Sequence, residues 1–305
     1  MVAPANRSLA LLFGGSSGER EVSISSARTV RAALEDAGYH VRPVDTGEAQ
    51  WWQQLEGIDL AFNIQHGRGG EDGVTQGLLA ALGIPCTGSG VLGSALAMDK
   101  VRSKRLWRDA GLPTPAFSVV DASTDPLPLL EEWGSFFLKP SREGSSLGMA
   151  HIAEAGAFAT AISAAQRTEG EVLAECFIDG PEYTVAILGE RTLPAIRIEA
   201  GSGFYDYHAK YHSDQTRYHI PCGLSDAEAA ELAALALEAF RALDCAGWGR
   251  VDAMREASGQ FQLLEVNTVP GMTDHSLVPM AAAAAGLSLA ELVAEIVNLS
   301  VESPL

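Results

Sequence analysis

Apolar positions fall first into an unbroken run at residues 9–13, the length of a buried strand. A glycine-serine loop, Gly14-Gly15-Ser16-Ser17-Gly18, follows it. Ile24, Ala27, Val30, Leu34 and Ala37 then recur at spacings of three and four, which predicts a helix closed by Gly38 as a C′ glycine. Runs at 41–44 and 58–64 predict two more strands, so the chain opens as a β-α-β unit on a parallel sheet. The polar, glycine-rich stretch QHGRGGEDG at 65–73 leaves the third strand, where open α/β sheets hold ligands. Helices are expected over 76–82 and about 99–110, closed by Gly83 with Pro85 and by Gly111 with Pro113.

Beyond Pro115 the pattern shifts to short strands at 136–139, 149–152, 171–177 and 183–188, which suggests a small α+β unit between about 100 and 180. Residues 201–221 show little periodicity but carry four tyrosines and three histidines, the composition of an ordered lid. The irregular spacing of His208, His212 and His219 favours that lid over a zinc site. Ser225 with Glu228 and Ser288 with Glu291 read as capping boxes. The first opens a helix with Leu232, Leu235, Ala236, Ala239, Phe240 and Leu243 inward, the second a final helix burying Leu292, Val293 and Ile296. Between them lies a hairpin over 251–254 and 261–266.

A length of 305 residues allows two or three units at roughly 150 residues per domain, with a core that needs no staples. The 21 basic and 39 acidic residues leave a net charge of −18, which repels nucleic acid and anionic membranes. An anionic ligand must therefore be held by a local cluster of Lys and Arg. Four scattered cysteines, with no Cys-x-x-Cys pair, exclude a zinc ribbon or a redox motif. The sequence shows neither a signal-peptide core at its start nor an apolar stretch long enough to span a membrane, so a soluble, cytoplasmic protein is expected.

The hairpin is the most informative feature. A two-residue Ser258-Gly259 turn sets Ala257 opposite Gln260 and so carries Asp252 opposite Glu265, with Asn267 on the same face. Directly opposed carboxylates repel, so a cation belongs between them. Three oxygen donors without sulfur or imidazole suit magnesium or manganese. A solvated acidic face is the alternative, but the otherwise apolar strands favour a buried site. Arg250 shares the face of Asp252 and reaches an anion held there. Lys139 precedes a small-residue loop, Glu143 to Gly148, suited to phosphate oxygens. No Walker-type P-loop occurs, and the opening loop lacks the strict dinucleotide signature. Glu19 either caps the first helix or serves a ligand, and the glycines around His66 are expected to leave it accessible.

Taken together, the chain resembles the D-alanine:D-alanine ligases of the ATP-grasp family over nearly all its length. The likeness rests on FGGSSGEREVS at 13–23, HGRGGEDG at 66–73, GSGV at 88–91, AMDK at 97–100 and KPSREGSS at 139–146. It continues with FYDYHAKY at 204–211, GWGRVD at 247–252 and EVNTVPGMTDHSLVP at 265–279. The resemblance implies an α/β (mixed α+β) chain with a three-domain ATP-grasp fold. Residues 1–99 would form an N-terminal Rossmann-like domain, 100–182 the central small domain, and 183–305 the C-terminal domain with metal and lid. It further implies that Lys100 and Lys139 hold the ATP phosphates, that Glu175, Phe177 and Ile178 line the adenine pocket, and that Glu182 binds the ribose. Cys176 in that strand acts through its backbone. Asp252, Glu265 and Asn267 would hold two magnesium ions, while Glu19 pairs with the first D-alanine's ammonium in a set with Ser145 and Tyr211. Arg250 and the backbone at Gly271 stabilise the acyl centre, Lys210 faces the γ-phosphate, Ser276 and Leu277 face the second carboxylate, and His66 lies near the first substrate.

The implied reaction joins two D-alanines at the expense of ATP for peptidoglycan precursor synthesis, in a homodimer. Tyr211 points to dipeptide rather than ester formation. A ligase for a D-hydroxy acid and a nucleotide-binding module without catalysis are the alternatives. His208, Asp274 and Cys176 depart from the family pattern; Asp274 adds negative charge two residues from Ser276, which bears on second-substrate affinity.

Overall fold

The computed structural model describes residues 7–144, 148–200, 216–273 and 275–302. Strands β1 (Ser8–Phe13), β2 (His40–Asp45) and β3 (Leu60–Asn63) form a parallel sheet in the order β2-β1-β3, the β-α-β opening read from the apolar runs. The crossover helix α1 (Arg20–Asp36) buries Ala27, Val30 and Leu34 at the expected spacing. It ends as expected too: Gly38 adopts φ 88° and its N–H bonds to Glu35 O at 3.0 Å, while Tyr39 N–H reaches Leu34 O at 3.0 Å.

The two C-terminal helices, α8 (Leu277–Ala284) and α9 (Leu289–Glu302), return to this first unit. Leu292, Val293 and Ile296 are fully buried in a core shared with Leu9, Val30, Leu34 and Phe62. Each such side chain contributes on the order of 2 kcal/mol. Among the described residues no single helix is long and apolar enough to cross a membrane; α8 and α9 pass that test only as a pair bent by 104°.

A second, antiparallel sheet runs β4-β7-β5-β6: β4 (Phe117–Val120), β5 (Phe136–Pro140), β6 (Ala150–Ile152) and β7 (Val172–Cys176). Strand β5 alternates strictly. Phe136 and Leu138 are buried against α6 (Phe158–Ala165), while Phe137 and Lys139 share the opposite face. Helix α5 (Leu127–Trp133) packs its Trp133 edge-on to Phe136.

The third sheet has the order β11-β10-β8-β12-β13, with β9 beside β8. Its strands are β8 (Glu182–Leu188), β9 (Arg191–Thr192), β10 (Ile196–Glu199), β11 (Arg217–His219), β12 (Trp248–Arg255) and β13 (Phe261–Asn267). One face packs on α7 (Asp226–Ala242) through Leu232, Ala236, Ala239 and Phe240. Helix α4 (Lys100–Asp109) is pinned to α7 where the buried Trp107 donates its indole N–H to Ala239 O at 2.9 Å. Helix α2 (Val74–Ala81) packs Leu79 against the first sheet, while α3 (Val91–Met98) leads to α4 and puts Ala97 in the core beneath α7.

Several elements escaped the pattern. VLGSALAM, which forms α3, is apolar all round and gives no period, and its Val91 and Leu92 are exposed. Residues 217–219, assigned to the lid, form edge strand β11, and His219 Nε2 meets Glu199 Oε2 at 2.9 Å. The remaining lid residues through 215, with His208 and His212, lie outside the described residues.

The hairpin corrects the sequence reading in an instructive way. Its loop has three residues, not two, because Glu256 N bonds to Gln260 O at 2.9 Å and Gly259 N to Glu256 O at 2.9 Å, with Gly259 at φ 94°. The resulting register pairs Ala253 with Leu263, one residue off the expected ladder. A bulge at Leu264 restores the offset, so Asp252 does oppose Glu265 and Arg250 opposes Asn267.

Helix α7 carries the expected capping box: Glu228 N bonds to Ser225 Oγ at 3.4 Å, and Ser225 N and Oγ donate to Glu228 Oε2 at 2.8 and 2.7 Å. These bonds, with Arg255, hold the Glu228 carboxyl down at about 2. A carboxyl lowered in the folded state stabilises above its unfolded value of about 4.5, and that contribution fades as pH falls toward 2. Glu228→Gln is therefore expected to melt below wild type at neutral pH, with the two melting curves converging in acid. A constant gap across the titration would contradict it.

Candidate active site

A cavity of about 460 Å³ opens where the three sheets meet. Nine residues singled out from the sequence line it: Glu19, His66, Lys100, Arg250, Glu265, Asn267, Gly271, Ser276 and Leu277. They come from the loop after β1, the loop after β3, the start of α4, the β12-β13 hairpin and the start of α8.

Glu19 sits at the N-cap position of α1 and makes no side-chain capping bond. Its carboxylate is threaded between two glycines. A Cβ at Gly67 would lie 2.7 Å, and one at Gly144 2.9 Å, from Glu19 Oε2. Ser276 and Leu277 form the first turn of α8, whose positive end suits a carboxylate. Ser276 Oγ accepts from Thr273 N at 2.9 Å and lies so close to Gly271 that a Cβ there would meet it at 2.9 Å.

His66 is buried, not accessible as its glycine neighbours suggested. Nδ1 lies 2.7 Å from Val269 O, which can only accept, so Nδ1 carries the proton. Nε2 then accepts from Ser26 Oγ at 3.1 Å, and Ser26 Oγ accepts from Met272 N at 3.2 Å. The ring thereby ties the loop after β3 to the 269–272 loop that carries Gly271. It lines the cavity through its edge while both nitrogens are engaged.

The hairpin face is charged and enclosed. Asp252 is buried, as the apolar strands implied, and accepts from Thr184 Oγ1 at 2.6 Å. Arg250 grips it in a fork, Nε to Oδ1 at 2.8 Å and Nη2 to Oδ2 at 2.7 Å. Opposite, Glu265 Oε2 is 3.0 Å from Lys100 Nζ, which also donates to Glu143 O at 2.8 Å. Arg250 and Lys100 thus supply the positive side chains that face the opposed carboxylates. Burial lowers the Lys100 ammonium, but Glu265 and the surrounding carboxylates outweigh it and raise it overall.

Glu19, Glu21, Glu71, Glu143 and Glu265 face the cavity against Lys100 and Arg250. An excess of carboxylates over cations suits an ammonium ligand and calls for added divalent charge before a polyphosphate can enter. Asp252, Glu265 and Asn267 supply hard oxygen donors on one ladder face, a set that fits magnesium or manganese.

Comparison with known proteins agrees with this geometry. Sequence models described as D-ala D-ala ligase N-terminus and C-terminus match residues 8–56 and 106–298. A D-alanine–D-alanine ligase from Alkalilimnicola ehrlichii is 52% identical over 95% of this chain and 93% of its own length. One from Ectopseudomonas mendocina is 52% identical over 97% of the chain and 95% of its own length. The chain belongs to the D-alanine–D-alanine ligase family.

Among solved structures, the Bacillus anthracis family member complexed with ATP superposes with a TM-score of 0.85 at 32% identity, covering 97% of both chains. The VanG D-Ala:D-Ser ligase from Enterococcus faecalis superposes with a TM-score of 0.83 at 30% identity, over 97% of this chain and 99% of its own. The fold is the ATP-grasp fold of the family.

Most of the residues carried over for the nucleotide lie on or beside the second and third sheets. On the β4–β7 sheet the register puts Phe137 beside both His151 and Glu175, with Lys139 two residues along on the same face. Phe177 closes this row, its ring centroid 5.8 Å from Phe137 and 5.1 Å from His151. Ile178 is buried behind it, and Cys176 N bonds to Ala116 O at 2.8 Å. On the other sheet Glu182 pairs with Met254 and shares the face of Thr184, Asp252 and Asn267. Ser145, Lys210, Tyr211 and Asp274 lie outside the described residues.

Sequence reading missed Glu71, Thr184 and Lys104. Glu71 faces the cavity, and its burial, with Glu19 nearby, pushes its carboxyl up against the opposing pull of His66. It stands in the quoted HGRGGEDG motif, so the motif itself was the available signal. Lys104 is fully buried and contacts Glu175 Oε2 at 2.7 Å.

Proposed function

We propose that this chain is an ATP-dependent ligase that joins two D-alanine molecules into D-alanyl-D-alanine through a D-alanyl phosphate, for peptidoglycan precursor synthesis. The observation that carries the reading is the convergence of Glu19, Arg250, Gly271 and the α8 N-terminus on one cavity beside the Asp252–Glu265 pair.

A carboxylate is a poor acyl donor because it would have to expel oxide. Transfer of the ATP γ-phosphoryl group to the first D-alanine's carboxylate oxygen gives an acyl phosphate and releases ADP. The second D-alanine's amine attacks the acyl carbon, phosphate leaves with the C–O electron pair, and the amine loses a proton. Glu19 holds the first ammonium, and the first turn of α8 at Ser276 and Leu277 holds the second carboxylate. Arg250 and the Gly271 backbone face the oxygen on which negative charge develops. His66 keeps Gly271 in place through Val269, Ser26 and Met272. Lys100 and Lys139 orient the phosphates, Phe177 and Ile178 with the Glu175 segment, partly through its backbone, line the adenine pocket, and Glu182 takes the ribose. Asp252, Glu265 and Asn267 would hold magnesium, which would supply positive charge against the transferring phosphoryl group.

The three sheets support division into residues 1–99, 100–182 and 183–305. Exposed Val74, Leu82, Val91 and Leu92 on α2 and α3 suit a homodimer contact, and the absence of a spanning helix among the described residues accords with a cytoplasmic enzyme.

The direct test is D-alanine-dependent release of ADP with mass detection of the product. D-alanyl-D-alanine is expected when D-alanine, D-serine and D-lactate are supplied together. A product dominated by D-alanyl-D-serine or D-alanyl-D-lactate would overturn the assignment of second substrate, and ATP binding without turnover would overturn the ligase itself.

A further inference from the structure

Lys104 has no part in the reaction as described, yet its surroundings couple it to the nucleotide. Helix α4 presents Lys100 and Lys104 one turn apart on the same face. Lys100 serves Glu265, and Lys104 reaches Glu175 across the base of the β4–β7 sheet. The Lys104 side chain is 0% exposed. Its ammonium has two oxygen partners, Glu175 Oε2 at 2.7 Å and Thr114 Oγ1, and Thr114 in turn donates to Leu263 O at 2.8 Å. The other oxygen of Glu175 is taken by Lys139, whose side chain is 12% exposed.

One buried carboxylate thus stands between two ammonium groups. The Lys104–Glu175 pair is already neutral, so the cluster carries a surplus positive charge. A surplus charge is costly to bury and is relieved by an anion reaching its solvent-facing corner. That corner is Lys139, on the face that also presents Phe137.

We propose that Lys104 is a positioning residue for ATP: as the standing counter-ion of Glu175 it leaves the Lys139 charge for the phosphates. The inference rests on the proposed assignment of Lys139 to those phosphates. Without Lys104, Glu175 claims Lys139 as its sole partner, and ATP must compete with a closed, one-to-one ion pair. Methionine is close to lysine in length and apolar, so Lys104→Met removes the charge while filling the space.

The test compares binding of ATP with magnesium and binding of adenosine, which has no phosphates, to the full chain without D-alanine. Lys104→Met is expected to lower the ATP-to-adenosine affinity ratio about tenfold, the size of a lost charge-assisted contact. Adding Glu175→Gln to that variant is expected to return most of the ratio, because no carboxylate then remains to hold Lys139. Equal losses for both ligands, an unchanged ratio, or no recovery in the double variant would overturn the proposal. Should Lys104→Met fail to fold, Lys104→Gln carries the same comparison. Lys139→Met separates the two levels: if it leaves the ratio unchanged, the phosphate assignment fails and the Lys104 role with it. If it lowers the ratio and Lys104→Met does not, the Lys104 role alone fails.

Discussion

Replacing Asp252 by asparagine is expected to cut turnover roughly 100-fold or more while changing ATP affinity far less. Asparagine keeps the shape and can still accept from Thr184 Oγ1, now 2.6 Å from the carboxylate, so the site is not dismantled. What disappears is one of the few formal charges able to gather a divalent ion against a transferring phosphoryl group. On the proposed assignment, ground-state affinity for ATP rests on Lys100, Lys139 and the aromatic row as well, so most of it is expected to survive. Saturating D-alanine kinetics across a range of ATP and magnesium concentrations separates the two quantities. Unchanged turnover would refute the metal assignment.

Arg250→Met is expected to lower turnover by about 10² to 10³, the range for loss of one donor to a developing oxyanion. The substitution also strips the buried Asp252 of its forked partner, leaving Thr184 as the contact that remains from the pair described. Some loss of thermal stability therefore accompanies it. Arg250→Lys keeps the charge but not the planar fork, and little of the rate is expected to return. Single-turnover measurement of D-alanyl-D-alanine formation, set beside ADP formation, locates the loss in attack on the acyl phosphate. A variant that forms dipeptide at the normal single-turnover rate would remove Arg250 from the acyl centre.

Legibility differed by element for physical reasons. Helix α1 was readable because Val30 and Leu34 repeat at helical spacing and Gly38 ends the run with a conformation that favours glycine. Helix α7 was readable because Ser225 and Glu228 announce its start. Helix α3 and strands β4, β9, β10 and β11 are short pieces whose formation depends on neighbours, and local pattern says little about them. In the site, alternation alone put Arg250 and Asp252 on one face, whereas the opposition of Asp252 to Glu265 was read from a two-residue turn and holds because the bulge at Leu264 cancels the extra loop residue. His66 could not be placed this way: local glycines suggested exposure, whereas its burial comes from residues 26 and 269–272, far away in the chain. Lys104 was hidden for the same reason, since nothing near position 104 announces a carboxylate at 175.

The surplus residue at Leu264 lets a single strand obey two masters. Leu263 and Val266 both point into the packing beneath α7, although they are three positions apart, while Glu265 and Asn267 point the other way. A uniformly alternating strand is unable to do this, because a side chain facing the helix at 263 would drag 265 to the same side. The kink therefore insulates the Asp252–Glu265 end of the ribbon from its turn. Sequence drift around residues 256–260, including the choice between a shorter and a longer bend, is free to proceed without rotating the donors out of the cleft.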